Sequence, residues 1–139
     1  ILISEFFSTE YNVSYVYHTL YAYFGRDNVA LPGIAAFFKH SSEEERKHAE
    51  VLMDFQNLRG GHVALKPILP PDMELNNQEK GDALQAFEIA LSLEKLNFTK
   101  LRQLYDVASR HEDAQMEDFV VGKLLQEQAE SVKKIAGYV

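Results

Sequence analysis

The chain has no cysteine and no tryptophan. Without thiolates it builds no disulfide scaffold, no zinc ribbon and no thiol-based active site, although a cysteine-free chain folds in any redox compartment. Proline and glycine are scarce, four and seven among 139 residues, and they gather near Gly25, Pro32-Gly33, Gly60-Gly61 and Pro67 to Pro71. Strand-like alternation is lacking too, so the long stretches between those breaks read as helices. Basic residues are in deficit: 14 against 21 acidic ones leave a formal charge of −7. That balance disfavours a phosphate-neutralising surface, so cations are the expected partners, with no nucleic acid and no membrane among them. No apolar run approaches the roughly 20 residues that span a bilayer. Core material is abundant, since 46% of the residues are hydrophobic. At this length folding removes roughly two-thirds of the chain's surface from water, and residues 1–139 are expected to form one domain. The chain opens at Ile1, which points to a processed or partial chain with any targeting peptide lying upstream.

Four helices are predicted, at 3–26, 33–59, 78–110 and 115–138, the third opening at Asn77-Gln78-Glu79-Lys80 and the second stopping at Gly60-Gly61. Loops of about six and about four residues join helices one to two and three to four, which makes each pair an antiparallel hairpin. Between helices two and three run about 17 residues with three prolines. Extended, they reach more than about 50 Å, enough to travel back along a helix of about 39 Å. The expected fold is therefore all-α, a four-helix bundle with one long crossover between helices two and three.

A 3–4 spacing laid on each helix picks out the stripe that faces the core. It reads Ile3, Phe6, Glu10, Val13, Tyr17, Leu20 and Phe24 on the first helix, and Ile34, Phe38, Ser41, Glu45, His48, Leu52 and Phe55 on the second. The third gives Leu84, Phe87, Leu91, Glu94, Phe98, Leu101, Tyr105 and Ala108, and the fourth Val121, Leu125, Gln128, Val132, Ile135 and Val139. Every stripe is broken near its middle by a carboxylate, an imidazole or an amide. In an antiparallel hairpin, residues equidistant from the turn lie level. Glu10 is level with His48 by this rule, and Glu94 with Gln128. Three carboxylates gathered in a low dielectric repel one another, and each isolated buried ion costs several kcal/mol unless cations neutralise it. Glu10, Glu45, His48 and Glu94 are therefore expected to bind metal, with Glu45-x-x-His48 putting two ligands one turn apart on one face. Carboxylate and imidazole without thiolate suit iron or manganese and also accept zinc. Tyr17 and Gln128 read equally well as satisfied core groups or as neighbours of the site. His18, His40, His62 and His111 read as surface residues. The fourth helix offers Leu125-x-x-Gln128 in place of a second Glu-x-x-His. Such a ligand-poor site suits metal as substrate better than metal as permanent cofactor.

Several runs then resemble ferritin, in particular its plant-type subunit with a ferroxidase centre. They are Glu10-Tyr-Asn-Val-Ser-Tyr-Val-Tyr17-His, Arg26-Asp-Asn-Val-Ala-Leu31, Ser42-Glu-Glu-Glu45-Arg-Lys-His48-Ala-Glu50, Arg59-Gly-Gly61, Glu79-Lys-Gly-Asp-Ala-Leu84 and Leu91-Ser-Leu-Glu94-Lys-Leu96. The resemblance implies a ferritin-like bundle whose subunits form a 24-subunit homo- or hetero-oligomeric cage, oxidise Fe(II) with dioxygen and store ferric mineral. It implies two irons per subunit as substrate, the first on Glu10, Glu45 and His48, the second on Glu45 and Glu94, with Tyr17 and Gln128 as tuning neighbours. Glu44 and Glu50 match residues of the inner surface where mineral starts, and Asp118 matches the three-fold channel. Two residues depart from the pattern: Lys47 and Val121 stand where glutamates are usual. The fifth helix is absent before Val139, and Ile1 to Thr9 match poorly. A plastid location follows from the plant-type resemblance, a cytoplasmic one otherwise. The alternative reading, motivated by Lys47, Val121 and the missing end, is a structural or metal-binding cage or bundle subunit with little mineralising activity. A di-metal oxygenase is disfavoured, because aromatic core stripes leave no small-residue pocket.

Overall fold

The computed structural model describes residues 2–75 and 81–139, the side chain of Leu2 excepted. The proposed opening of the third helix at Asn77 to Lys80 lies outside the described residues. Among those described, all regular structure is helical: α1 (Leu2–Phe24), α2 (Pro32–Leu58), α3 (Asp82–Arg110), α4 (Ala114–Phe119), a π-helical segment (Val120–Leu125) and α5 (Gln126–Tyr138). The last three form one continuous rod, since Val120 and Gln126 at the junctions keep right-handed helical angles. The chain divides after Glu74 into two units, each built on a hairpin.

In the first unit α1 packs against α2. The connection closes when the Leu31 N–H donates to the Phe24 carbonyl at 3.0 Å. Pro32 then opens α2, where its missing N–H would have had no helical partner and its fixed φ suits the first turn. Phe24 stacks on Phe38 with ring centroids 6.0 Å apart, and Tyr17 tilts against Phe38 at 5.8 Å. Each such fully buried ring contributes about 1.5–3 kcal/mol of transfer free energy. Beyond α2 the Gly60 N–H donates to Asn57 and the Gly61 N–H to Gln56, at 3.1 and 2.9 Å. This paired closure requires a left-handed residue between the two bonds, and Gly60 supplies it with φ +80°. The predicted stop at Gly60-Gly61 is thus realised.

The second unit repeats the closure without glycine. Glu112 takes φ +54°, its N–H bonds to Ser109, and the Asp113 N–H bonds to Ala108 at 2.9 Å. The Asp113 carboxylate then accepts from the Met116 N–H at 3.1 Å and caps α4.

The buried faces differ in phase from the expected stripes at three places. On α2 the buried side is centred on Ala35, Ser42 and Ala49, with Ile34 and Ser41 at its flank. On α3 it is Ala86, Ala90, Glu94, Asn97, Leu101, Leu104 and Ala108, while Leu84, Phe87, Leu91, Phe98 and Tyr105 are half-buried. Small residues sit at the centre of a close-packed face and large ones wrap its sides, so a stripe drawn through the largest apolar residues lands one position off. On the fourth rod, Met116, Val120, Leu124 and Gln128 are buried, whereas Val121 is 51% exposed and Leu125 half-buried. A spacing of four drifts about 40° per step on an α-helix of 3.6 residues per turn. The wider π turn takes that drift up and keeps the four residues on one side. Val121 is thereby no core residue.

Candidate metal centre

In the first unit α1 brings Glu10, and α2 brings Glu45 and His48, to one place. Glu10 is 1% exposed and Glu45 3%. One ligand atom from each of the three lies within 4.8 Å of the other two. The Nδ1 of His48 is the nitrogen turned on both carboxylates, 3.4 Å from Glu45 and 4.0 Å from Glu10, on a side chain still 19% exposed. The level pairing of Glu10 with His48 expected from the sequence is realised. Two carboxylate charges at such a distance repel by about 3–4 kcal/mol at an effective dielectric of 20. A divalent cation among them turns that repulsion into two attractions, each of double charge.

Helix spacing at the site is set by serines. The Ser14 hydroxyl donates to the Ser42 carbonyl at 2.9 Å, and the Ser42 hydroxyl donates to the Ser14 carbonyl at 2.8 Å. Each hydroxyl has one proton, so the 3.0 Å approach of the two oxygens is a consequence of this clasp and adds no third bond. Ser14 is one turn from Glu10 and Ser42 one turn from Glu45. Tyr11, next to Glu10, donates to the Met53 sulfur at 3.5 Å. Tyr17 is fully buried on the Glu10 side of α1, against Phe38.

The second unit buries Glu94 differently. Gln128 Nε2 donates to the Glu94 carboxylate and, at 3.0 Å, to the Glu94 carbonyl, while Asn97 Nδ2 donates to Gln128 Oε1 at 3.2 Å. The sequence reading paired Glu94 with Gln128 and missed Asn97, along with the Ser14–Ser42 clasp. Spacing was an available signal: Glu94-x-x-Asn97 repeats the one-turn interval of Glu45-x-x-His48.

The other expected residues lie on the surface. Glu44 pairs with His40 at 3.1 Å and Glu50 with Arg46 at 3.7 Å, all exposed on α2. Lys47 and Asp118 are exposed, as are His18, His40, His62 and His111. No described helix is long and apolar enough to cross a membrane.

The family model of the Ferritin-like domain matches residues 2–139. The chain belongs to the ferritin family. It is 60% identical to "Ferritin-3, chloroplastic" of Vigna unguiculata over 137 residues, which is 99% of this chain and 54% of that ferritin. With "Ferritin-3, chloroplastic" of Arabidopsis thaliana it shares 58% over 99% of this chain and 53% of the other. The crystal structure of ferritin from the multicellular green alga Ulva pertusa is similar with a TM-score of 0.96 and 57% identity, covering 99% of this chain and 71% of that one. The chain spans about half the length of the chloroplastic ferritins it matches. The expected all-α, ferritin-like architecture is borne out by this likeness.

Proposed function

We propose that this ferritin-family chain is an iron-storage subunit with ferroxidase activity. The observation that carries the reading is the convergence of two buried carboxylates and an imidazole, Glu10, Glu45 and His48, on one small volume. Iron is substrate here: each of two Fe(II) gives up one electron, dioxygen takes two electrons and two protons, and hydrogen peroxide leaves. The residues' part is to bind and orient. Glu10 and Glu45 supply carboxylate oxygens, His48 supplies an imidazole nitrogen, and Glu45 is assigned the bridging role on the family pattern. The same pattern assigns Glu94 to the second iron, with Tyr17 and Gln128 as tuning neighbours. Zinc and manganese are expected to take the iron positions, because such donors discriminate weakly among divalent ions.

Fe(III) then hydrolyses to an oxide mineral, with Glu44 and Glu50 as nucleation residues and Asp118 in the iron channel. The assembly is a multi-subunit cage, 24 chains of one or more kinds. Its compartment is the plastid, in line with the chloroplastic relatives. A second reading, a structural or metal-binding cage or bundle subunit with little mineralising activity, is favoured by one observation: Glu44 and Glu50 already have side-chain neighbours, His40 and Arg46, with the cation Lys47 between them.

The test mixes apo-protein with Fe(II) in air. A fast ferric absorbance rise proportional to subunits, abolished in Glu45→Ala, is expected; an unchanged initial rate in that variant overturns the assignment. Particle size and iron content of the purified protein separate cage from bundle.

A further inference from the structure

Asn97 is 1% exposed, one turn beyond Glu94 on α3, at a place where an apolar side chain would be the ordinary occupant. The chemistry of its neighbours fixes how the amides stand. The Glu94 carbonyl only accepts, so the nitrogen of Gln128 must face it, and that nitrogen also donates to the Glu94 carboxylate. Gln128 Oε1 is thereby turned on Asn97, whose Nδ2 donates to it. The terminal amide torsion of glutamine has a broad, roughly two-fold preference. Without a donor at position 97 the flipped state is opposed only from the Glu94 side; with Asn97 present it would also set Nε2 against an N–H donor. The chain of dipoles Asn97 to Gln128 to Glu94 also polarises each donor in turn. The donor to the Glu94 carboxylate is a neutral amide, where a lysine or arginine partner would compete with a metal for it.

We infer that Asn97 is a positioning residue, which locks the amide of Gln128 so that Glu94 presents its carboxylate to a divalent cation in one orientation. The inference rests on the reading of Glu94 as a metal ligand. It acts through the amide of Gln128, within the second unit.

Zinc titration of the 139-residue chain by calorimetry tests it without iron oxidation. Glu94→Ala identifies the binding event that depends on Glu94. Asn97→Leu is expected to weaken that event about tenfold, the lower end of what loss of an outer-shell partner costs, and to leave the other event unchanged. Asn97→Thr, which keeps an O–H donor, restores affinity to within about twofold of wild type on the same scale. In the Gln128→Ala background, Asn97→Leu has no further effect, because the path runs through that amide. Should Asn97→Leu fail to fold, Asn97→Ala takes its place in the same cycle. Unchanged zinc binding in the variant, losses that multiply in the double variant, or a Glu94→Ala protein that binds as wild type each overturn the inference. Normal zinc binding with no iron oxidation would overturn the ferroxidase reading and leave the positioning role standing.

Discussion

Each hairpin buries a carboxylate in the middle of its helices, and the two treat the charge in opposite ways. The first gathers Glu10 and Glu45 with the half-buried imidazole of His48. The second gives one carboxylate, Glu94, a neutral amide donor from Gln128, whose own oxygen accepts from Asn97. A like-charge cluster is costly until a cation arrives, whereas a carboxylate that accepts hydrogen bonds is satisfied within its own fold. The first cluster thus carries a repulsion that a cation would offset, and the second carboxylate a hydrogen bond from its own unit.

The sharpest break of this contrast is catalytic. Glu45→Ala should lower the initial Fe(II) oxidation rate by more than about 100-fold, beyond the roughly 10- to 100-fold that loss of an outer-shell partner costs, as read by stopped-flow absorbance. A second break is thermodynamic. Zinc at about 100 times its dissociation constant should stabilise the protein by about 2.7 kcal/mol, and scanning calorimetry should show that gain lost in His48→Ala. The third compares the hairpins directly in urea. Gln128→Leu removes donors from a buried carboxylate and should cost about 1–3 kcal/mol. Glu10→Gln relieves repulsion and should cost less than about 1 kcal/mol or stabilise. Equal costs would erase the contrast. The smallest effect concerns the exposed face of α2, where Lys47→Glu should speed mineral growth about twofold at matched oxidation rates, in keeping with the few tenths of a kcal/mol of an exposed helical charge pair.

Much of this was legible in the sequence, for reasons that particular residues make plain. Glycine and proline mark the ends of α2, and only glycine adopts the Gly60 conformation without strain, so that boundary could be read directly. Glu10, Glu45, His48, Glu94 and Gln128 were legible because a charged or amide group on an apolar stripe is conspicuous at helical spacing. Asn97 was hidden by Phe98, since apolar bulk is a louder signal than the position of a backbone contact. Val121 and Leu125 were misplaced by one residue because a π turn has no composition of its own. Its cause lies in packing along the whole rod, which a local window does not see. The Ser14–Ser42 clasp was invisible in the same way, as two serines 28 positions apart announce nothing until the hairpin brings them together.

That clasp has a consequence for turnover. If iron is cargo, as proposed, it must leave, and the frame around it has to keep its dimensions through loading and discharge. A frame held only by its metal would relax on each release and have to be rebuilt on each capture, slowing both. The two serines use hydroxyl and carbonyl groups that take no part in holding a cation, and they sit one turn from the ligands on both helices. On the proposed reading they form a spacer independent of occupancy, and the separation of α1 and α2 is expected to stay constant between loading and release.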